Sequence, residues 1–158
     1  MPWRDDTSPY SVLVSEVMLQ QTQVARVMVK YPEFIEPFPN FSSLAAASQA
    51  DVLRAWSGLG YNRRARYLHQ IAKQVVADFD GVLPLLIDDL VKFQGIGPNT
   101  AGAVATYVTD TPALFIETNI RSCLLHHFYP DEQNVSDARL QELNMQTFDY
   151  KQPRQWCW

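Results

Sequence analysis

In the stretch SEVMLQQTQV, Ser15 to Val24, one carboxylate, Glu16, stands inside an apolar helical run that breaks into Gln, Gln, Thr and Gln. Burying a carboxylate without a partner is costly, so Glu16 needs a structural partner or a chemical task. A second carboxylate, Glu117, stands in ALFIETNIRSCLL between an apolar extended segment and a helix start, where local N–H groups would hold it. Taken together, the two form a candidate carboxylate pair. Such pairs cleave glycosidic bonds, one acid donating a proton while the other stabilises an oxocarbenium-like transition state. Spacing along the chain leaves open whether the two meet.

Two further clusters suit anions. In QGIGPNTAGAV, Gly95 and Gly97 flank Ile96 and open a helix with Pro98 at its first position, so unpaired amides near Asn99 and Thr100 can hold a phosphate without any Lys. An isolated GxG also suits a plain turn, but the helical patterns on both sides favour a hairpin over 94–100. In YNRRARYLHQ, Arg63, Arg64 and Arg66 gather at a helix start, where Arg63 and Arg64 suit backbone phosphates or simply a solvated face. His126 and His127 have no third ligand at metal-binding spacing and are expected to be exposed or packing residues.

The elements that must position these residues are helical, because almost every apolar run steps by three or four residues. Ser8 caps a helix from Pro9 to about Gln20, and Val24 to Tyr31 supports a second that stops near Pro32. Ser48 with Asp51 caps a short helix through Trp56, and Gly58 to Tyr61, GLGY, makes a tight break. The longest amphipathic helix runs from Asn62 with Ala65, Leu68, Ile71, Ala72, Val75, Val76 and Phe79 inward, closed by DFDG. Shorter helices fit Leu85 to Phe93, Pro98 to about Tyr107, the residues after Glu117 through Phe128, and those after Ser136 to about Phe148. A last helical pattern around Pro153 stops before it closes, so the C-terminus reads as truncated.

The 158 residues, 47% of them hydrophobic, suffice for one core and an unequal second lobe. With 13 Lys and Arg against 17 Asp and Glu, the chain does not grip polyanions by bulk charge, so any nucleic-acid binding must be local. Cys123 and Cys157 form no metal pattern and read as reduced thiols of an intracellular protein. Nothing at Met1 resembles a signal peptide, and no apolar stretch reaches membrane-spanning length.

Four motifs in this order, SEVMLQQTQV, GLGY followed by RAR and LH, GIGPNTAGAV and FIETNIR, resemble the helix-hairpin-helix DNA glycosylases of the endonuclease III superfamily, most closely the MutY-type adenine glycosylases. The resemblance covers most of the chain, from Trp3 to about Phe128. It implies an all-α fold over 1–158, with a helical barrel over about 9–109 carrying the hairpin, and a second lobe from 110–158 and the N-terminus. The partner it implies is double-stranded DNA with a mismatched or damaged base, bound by a monomer, cytoplasmic and at the nucleoid if the source is bacterial.

On this resemblance Glu16 matches the catalytic acid that protonates adenine and helps activate water. An apolar pocket wall would raise its pKa. Among Gln20, Gln21 and Thr22, Gln21 matches the side chain inserted into the duplex, and Tyr61 matches the aromatic wedge beside the opposite base. Gly95, Ile96 and Gly97, with Asn99 and Thr100, match the hairpin that clamps a phosphate, and Asn119 matches an Asn near the second acid. That acid is an Asp in the family, and Glu117 stands in its place here. Asn99 stands where strand-cutting relatives carry a Lys, which implies hydrolysis without a Schiff base. The four-cysteine motif for an iron–sulfur cluster has no counterpart, so no cofactor is expected in this chain. The function implied is excision of a mispaired base, adenine opposite guanine or 8-oxoguanine; the alternatives are a thymine mismatch glycosylase and a DNA-binding protein without excision.

Overall fold

The structure is a computed structural model that describes residues 1–157; Trp158 lies outside the described residues. Its elements are α1 (Pro2–Asp5), α2 (Pro9–Leu19), α3 (Val24–Ile35), α4 (Phe41–Ala46), α5 (Gln49–Ala55), α6 (Arg63–Asp78), α7 (Ile87–Leu90), α8 (Pro98–Thr109), α9 (Thr118–Phe128), α10 (Asp137–Thr147) and α11 (Pro153–Cys157). No strand occurs among the described residues.

Helix starts lie where short polar side chains accept from nearby amides. Ser8 accepts from Ser11 N–H, Ser48 from Asp51 N–H and Ser136 from Arg139 N–H, each replacing a bond the first turn lacks. Asn40 and Ser43 form a reciprocal capping box that starts α4, a helix not anticipated from its short FSSLAA run. The helix expected over Leu85 to Phe93 is a single turn, Ile87–Leu90.

Pro32 does not stop α3, which continues to Ile35. The bond that its ring removes would have reached the carbonyl of Met28, a residue 39% exposed, so water can serve that oxygen. Meanwhile Phe34 is fully buried, its ring edge-on to Phe38 and Trp56, and this packing holds the last turn helical.

α2 is the central element and packs on α1, α3, α6 and α8. Residues from Tyr10 to Met18 are buried on every side except Glu16, which is partly accessible. A helix apolar all round belongs in the interior. α6 packs on α2, α4 and α5 and buries Ala65, Leu68, Ile71, Ala72 and Val75. Val76 and Phe79, also expected inward, are exposed because the stripe ends one turn before the DFDG break.

Candidate active site

The single accessible side chain of α2's buried stretch opens into a cleft of about 1540 Å³ between α2, the loop after α5, the start of α8 and the start of α9. That exceeds the roughly 300–1,000 Å³ typical of a small-molecule pocket, and suits part of a polymer better than a metabolite. Of the fourteen candidate catalytic and DNA-contacting residues, twelve line this cleft; Ile96 and Gly97 do not.

Glu16 and Glu117 both face the cleft. Burial, and then the like charge of Glu117, push the Glu16 carboxyl up to about 7, while Arg4 pulls it the other way. Glu117 caps α9, its Oε1 accepting from the Ile120 amide at 2.8 Å. That bond fixes one carboxylate oxygen of a residue that lines the cleft. The segment carrying Glu117 is tied at two points: Asn99 Nδ2 donates to the Ile116 carbonyl at 2.9 Å, and Asn144 Nδ2 to the Phe115 carbonyl at 3.2 Å. Gly102 lets this segment lie against α8, because a Cβ there would stand 2.9 Å from the Phe115 ring. Asn119 is exposed in the cleft.

At the hairpin, Gly95 holds a left-handed φ of +91°, and a Cβ on it would stand 2.5 Å from the Tyr67 ring. No side chain caps α8, so the amides of Asn99 and Thr100 at its start point outward without intrahelical partners. Gln20 reaches this end of the molecule, its Nε2 3.2 Å from Thr100 Oγ1 and 3.4 Å from the Gly95 carbonyl. The Ile96 side chain, by contrast, is buried and its amide donates to the Phe93 carbonyl, so Ile96 anchors the hairpin instead of touching a ligand.

Gln21 and Tyr61 project from the two loops flanking the cleft, both exposed and both at left-handed φ, +54° and +45°. Arg63 is exposed beside them. Arg64 departs from the expected phosphate contact: it is 5% exposed, and its guanidinium donates to carbonyls of the chain itself. Thr22 Oγ1 accepts from it at 2.9 Å.

Among the other residues lining the cleft, Arg4 and Tyr107 interact with Glu16 and were not singled out from the sequence. Arg4 follows Trp3 on α1. Tyr107 donates to the Cys157 carbonyl at 3.2 Å, and its hydroxyl pKa is raised by burial and then by Glu16. A bulky phenol closing the small-residue run AGAVATY was the available signal for Tyr107. His126 and His127 are exposed with ring centroids 5.0 Å apart, and no group of three or more potential metal ligands exists among the described residues. Cys123 and Cys157 are free thiols, the latter pushed up to about 12 by burial and then Glu117. Two separate thiols do not fit an iron–sulfur cluster that takes four thiolates. No helix among the described residues is long and apolar enough to cross a membrane.

Comparison with known proteins places these features in context. A family model described as HhH-GPD superfamily base excision DNA repair protein matches residues 14–147. Adenine DNA glycosylase of Mycobacterium tuberculosis is 45% identical over 122 residues, covering 77% of this chain and 40% of that protein. The adenine DNA glycosylase of Buchnera aphidicola is 34% identical over 149 residues, covering 94% of this chain and 42% of that protein. The chain thus spans about two fifths of the length of these curated relatives. Among solved structures, a thermostable thymine-DNA glycosylase superposes with a TM-score of 0.85 at 22% identity, over 99% of this chain and 73% of that one. An endonuclease III in a non-covalent DNA complex gives 0.77 at 20% identity, over 94% and 68%.

Proposed function

The chain belongs to the HhH-GPD superfamily of base excision DNA repair proteins, and from that membership we propose that its cleft takes a base flipped from duplex DNA and hydrolyses the N-glycosidic bond. The substrate is a mispaired adenine, opposite guanine or 8-oxoguanine, as the names of its adenine DNA glycosylase relatives favour. The barrel over about 9–109 and a second lobe from 110–158 and the N-terminus flank the DNA, bound by one copy of the chain inside the cell.

Glu16, protonated, donates its proton to the adenine ring as the bond from base nitrogen to C1′ breaks and its electron pair leaves with the base. The Glu117 carboxylate stabilises the positive charge developing on the sugar. Water then adds to C1′, giving its proton back to the Glu16 carboxylate and leaving an abasic site. Asn99 has no amine for a Schiff base, so the strand stays intact. Gln21 fills the vacated stack, Tyr61 wedges beside the opposite base, and hairpin amides with Arg63 hold the phosphates. Gln20, Thr22 and Asn119 orient these groups. The observation that carries the reading is a carboxyl poised near neutrality on an otherwise buried helix, beside a second carboxylate in one cleft.

A single-turnover assay tests it, with excess protein on duplexes bearing adenine opposite 8-oxoguanine or guanine, thymine opposite guanine as comparison, and alkali to reveal abasic sites. Glu16→Gln is expected to slow base release by about 10²-fold or more. Undiminished release by that variant overturns the assignment.

A further inference from the structure

The geometry points to Arg64 as a positioning residue that locks the Gln21 and Tyr61 loops to each other and to the last turn of α2, an inference that rests on the proposed role of those loops in DNA. Its Nη1 donates to the carbonyls of Val17 at 3.0 Å, Met18 at 2.9 Å and Gln20. Its Nη2 donates to Thr22 Oγ1 at 2.9 Å and to the carbonyls of Leu59 at 3.1 Å and Gly60 at 3.3 Å. One planar fork therefore ties the segment before and after Gln21 to the segment before Tyr61. Its carbon centre also lies 5.4 Å from the Trp56 ring and 5.5 Å from the Tyr61 ring.

The cation is buried without a carboxylate among its partners. What compensates it is six oxygens, three of them carbonyls at the C-terminal, negative end of α2 and the others the Thr22 hydroxyl and the carbonyls of Leu59 and Gly60. The loops have a matching need. Gln21 and Tyr61 both sit at left-handed φ without being Gly, a conformation that persists only when its surroundings over-determine it. The shared guanidinium supplies that determination to both at once. A Lys would keep the charge but offer a single nitrogen, which cannot span six acceptors on two loops.

Hydrogen–deuterium exchange of the free protein tests the lock without any DNA. In Arg64→Lys, exchange over 19–23 and 58–62 is expected to rise together by about tenfold or more, with α8 unchanged. Thr22→Val, which keeps the cation and removes one acceptor, is expected to speed exchange at 58–62 as well, a loop to which no hydrogen bond joins Thr22. If Arg64→Lys does not fold, Thr22→Val decides. A change confined to one loop, or none, overturns the inference.

Binding to a duplex with an abasic-site analogue then separates positioning from phosphate contact. Arg64→Gln is expected to weaken binding with the salt dependence unchanged, whereas a slope reduced by about 0.9 identifies a phosphate contact and overturns the inference. Absence of base release by the wild-type chain, with the exchange changes of the two variants as expected, overturns the proposed activity and upholds the lock.

Discussion

Glu16 occupies a place where a carboxylate lowers stability whenever it is charged. Its pKa is raised from 4.5 to about 7, chiefly by burial. The folded state therefore binds a proton more tightly than the unfolded chain does, and the stability this gives is fully present below about pH 4.5 and is lost as pH rises through about 7. At 1.36 kcal/mol per unit the ceiling is about 3 kcal/mol, and water entering from the cleft reduces it to roughly 1–2 kcal/mol. Glu16→Gln carries no charge at any pH, so it should melt about 5 °C above wild type at pH 8 and level with it at pH 4. Thermal melts across that range check this; a gap that does not change with pH would mean that Glu16 is fully hydrated in the fold. A proton retained near neutrality is what a general acid needs, so the same environment that weakens the fold equips the site.

At the scale of elements, Glu117 depends on α8 as much as on α9. α9 supplies the amide that the carboxylate caps, whereas α8 supplies Gly102, against which Phe115 rests, and Asn99, which binds the Ile116 carbonyl. Gly102→Ala separates stability from positioning. Ala gains about 1 kcal/mol of helix propensity, but its Cβ would stand 2.9 Å from Phe115 Cδ1 and push the Glu117 segment outward. The expected outcome is a melting temperature within a few degrees of wild type, with base release at least about tenfold slower. Unchanged release would show that the segment yields without moving Glu117, and a parallel loss of stability and release would show that the substitution disrupts the fold and not the site alone. Helices were legible in the sequence wherever the determinant is local: Ser8, Ser48 and Ser136 each bind an amide three residues on. Pro32 was misjudged because a buried Phe34 two residues later outweighs one missing bond, and α4 was missed because six residues carry too little periodicity. Glu16 and Glu117 were legible as types, but their sharing of one cleft was not, since it depends on how α2 and α9 come together. Arg64 was misread for the same reason: its acceptors come from Val17 to Thr22 and from Leu59 and Gly60, segments far apart in the chain.

At the scale of the whole molecule, a net charge of −4 must be reconciled with the polyanionic partner proposed for it. Long-range attraction does not bring this chain to DNA; contact must come from a few placed groups. Of the four arginines lining the cleft, Arg4 acts on the Glu16 carboxyl, Arg64 is turned inward and Arg121 is paired with Asp137 at 2.5 Å, whereas Arg63 is exposed. The hairpin amides at Asn99 and Thr100 can bind a phosphate through dipoles, and this too displaces counterions. Two or three phosphates neutralised in this way give a slope of log affinity against log salt of roughly −2 to −3. Proteins making six to ten phosphate contacts lose about 10³–10⁵ in affinity between 50 and 200 mM salt, whereas this chain should lose only about 20- to 60-fold. Fluorescence anisotropy on a mismatched duplex over that range measures the slope, and Arg63→Gln should reduce it by about 0.9. A slope steeper than about −5 would contradict this local contact set and require a basic surface that the acidic chain does not present. On the proposed function, weak electrostatic capture would also shift discrimination toward the cleft, because a protein held by few phosphates stays longer only where a base can be flipped and the stack filled behind it.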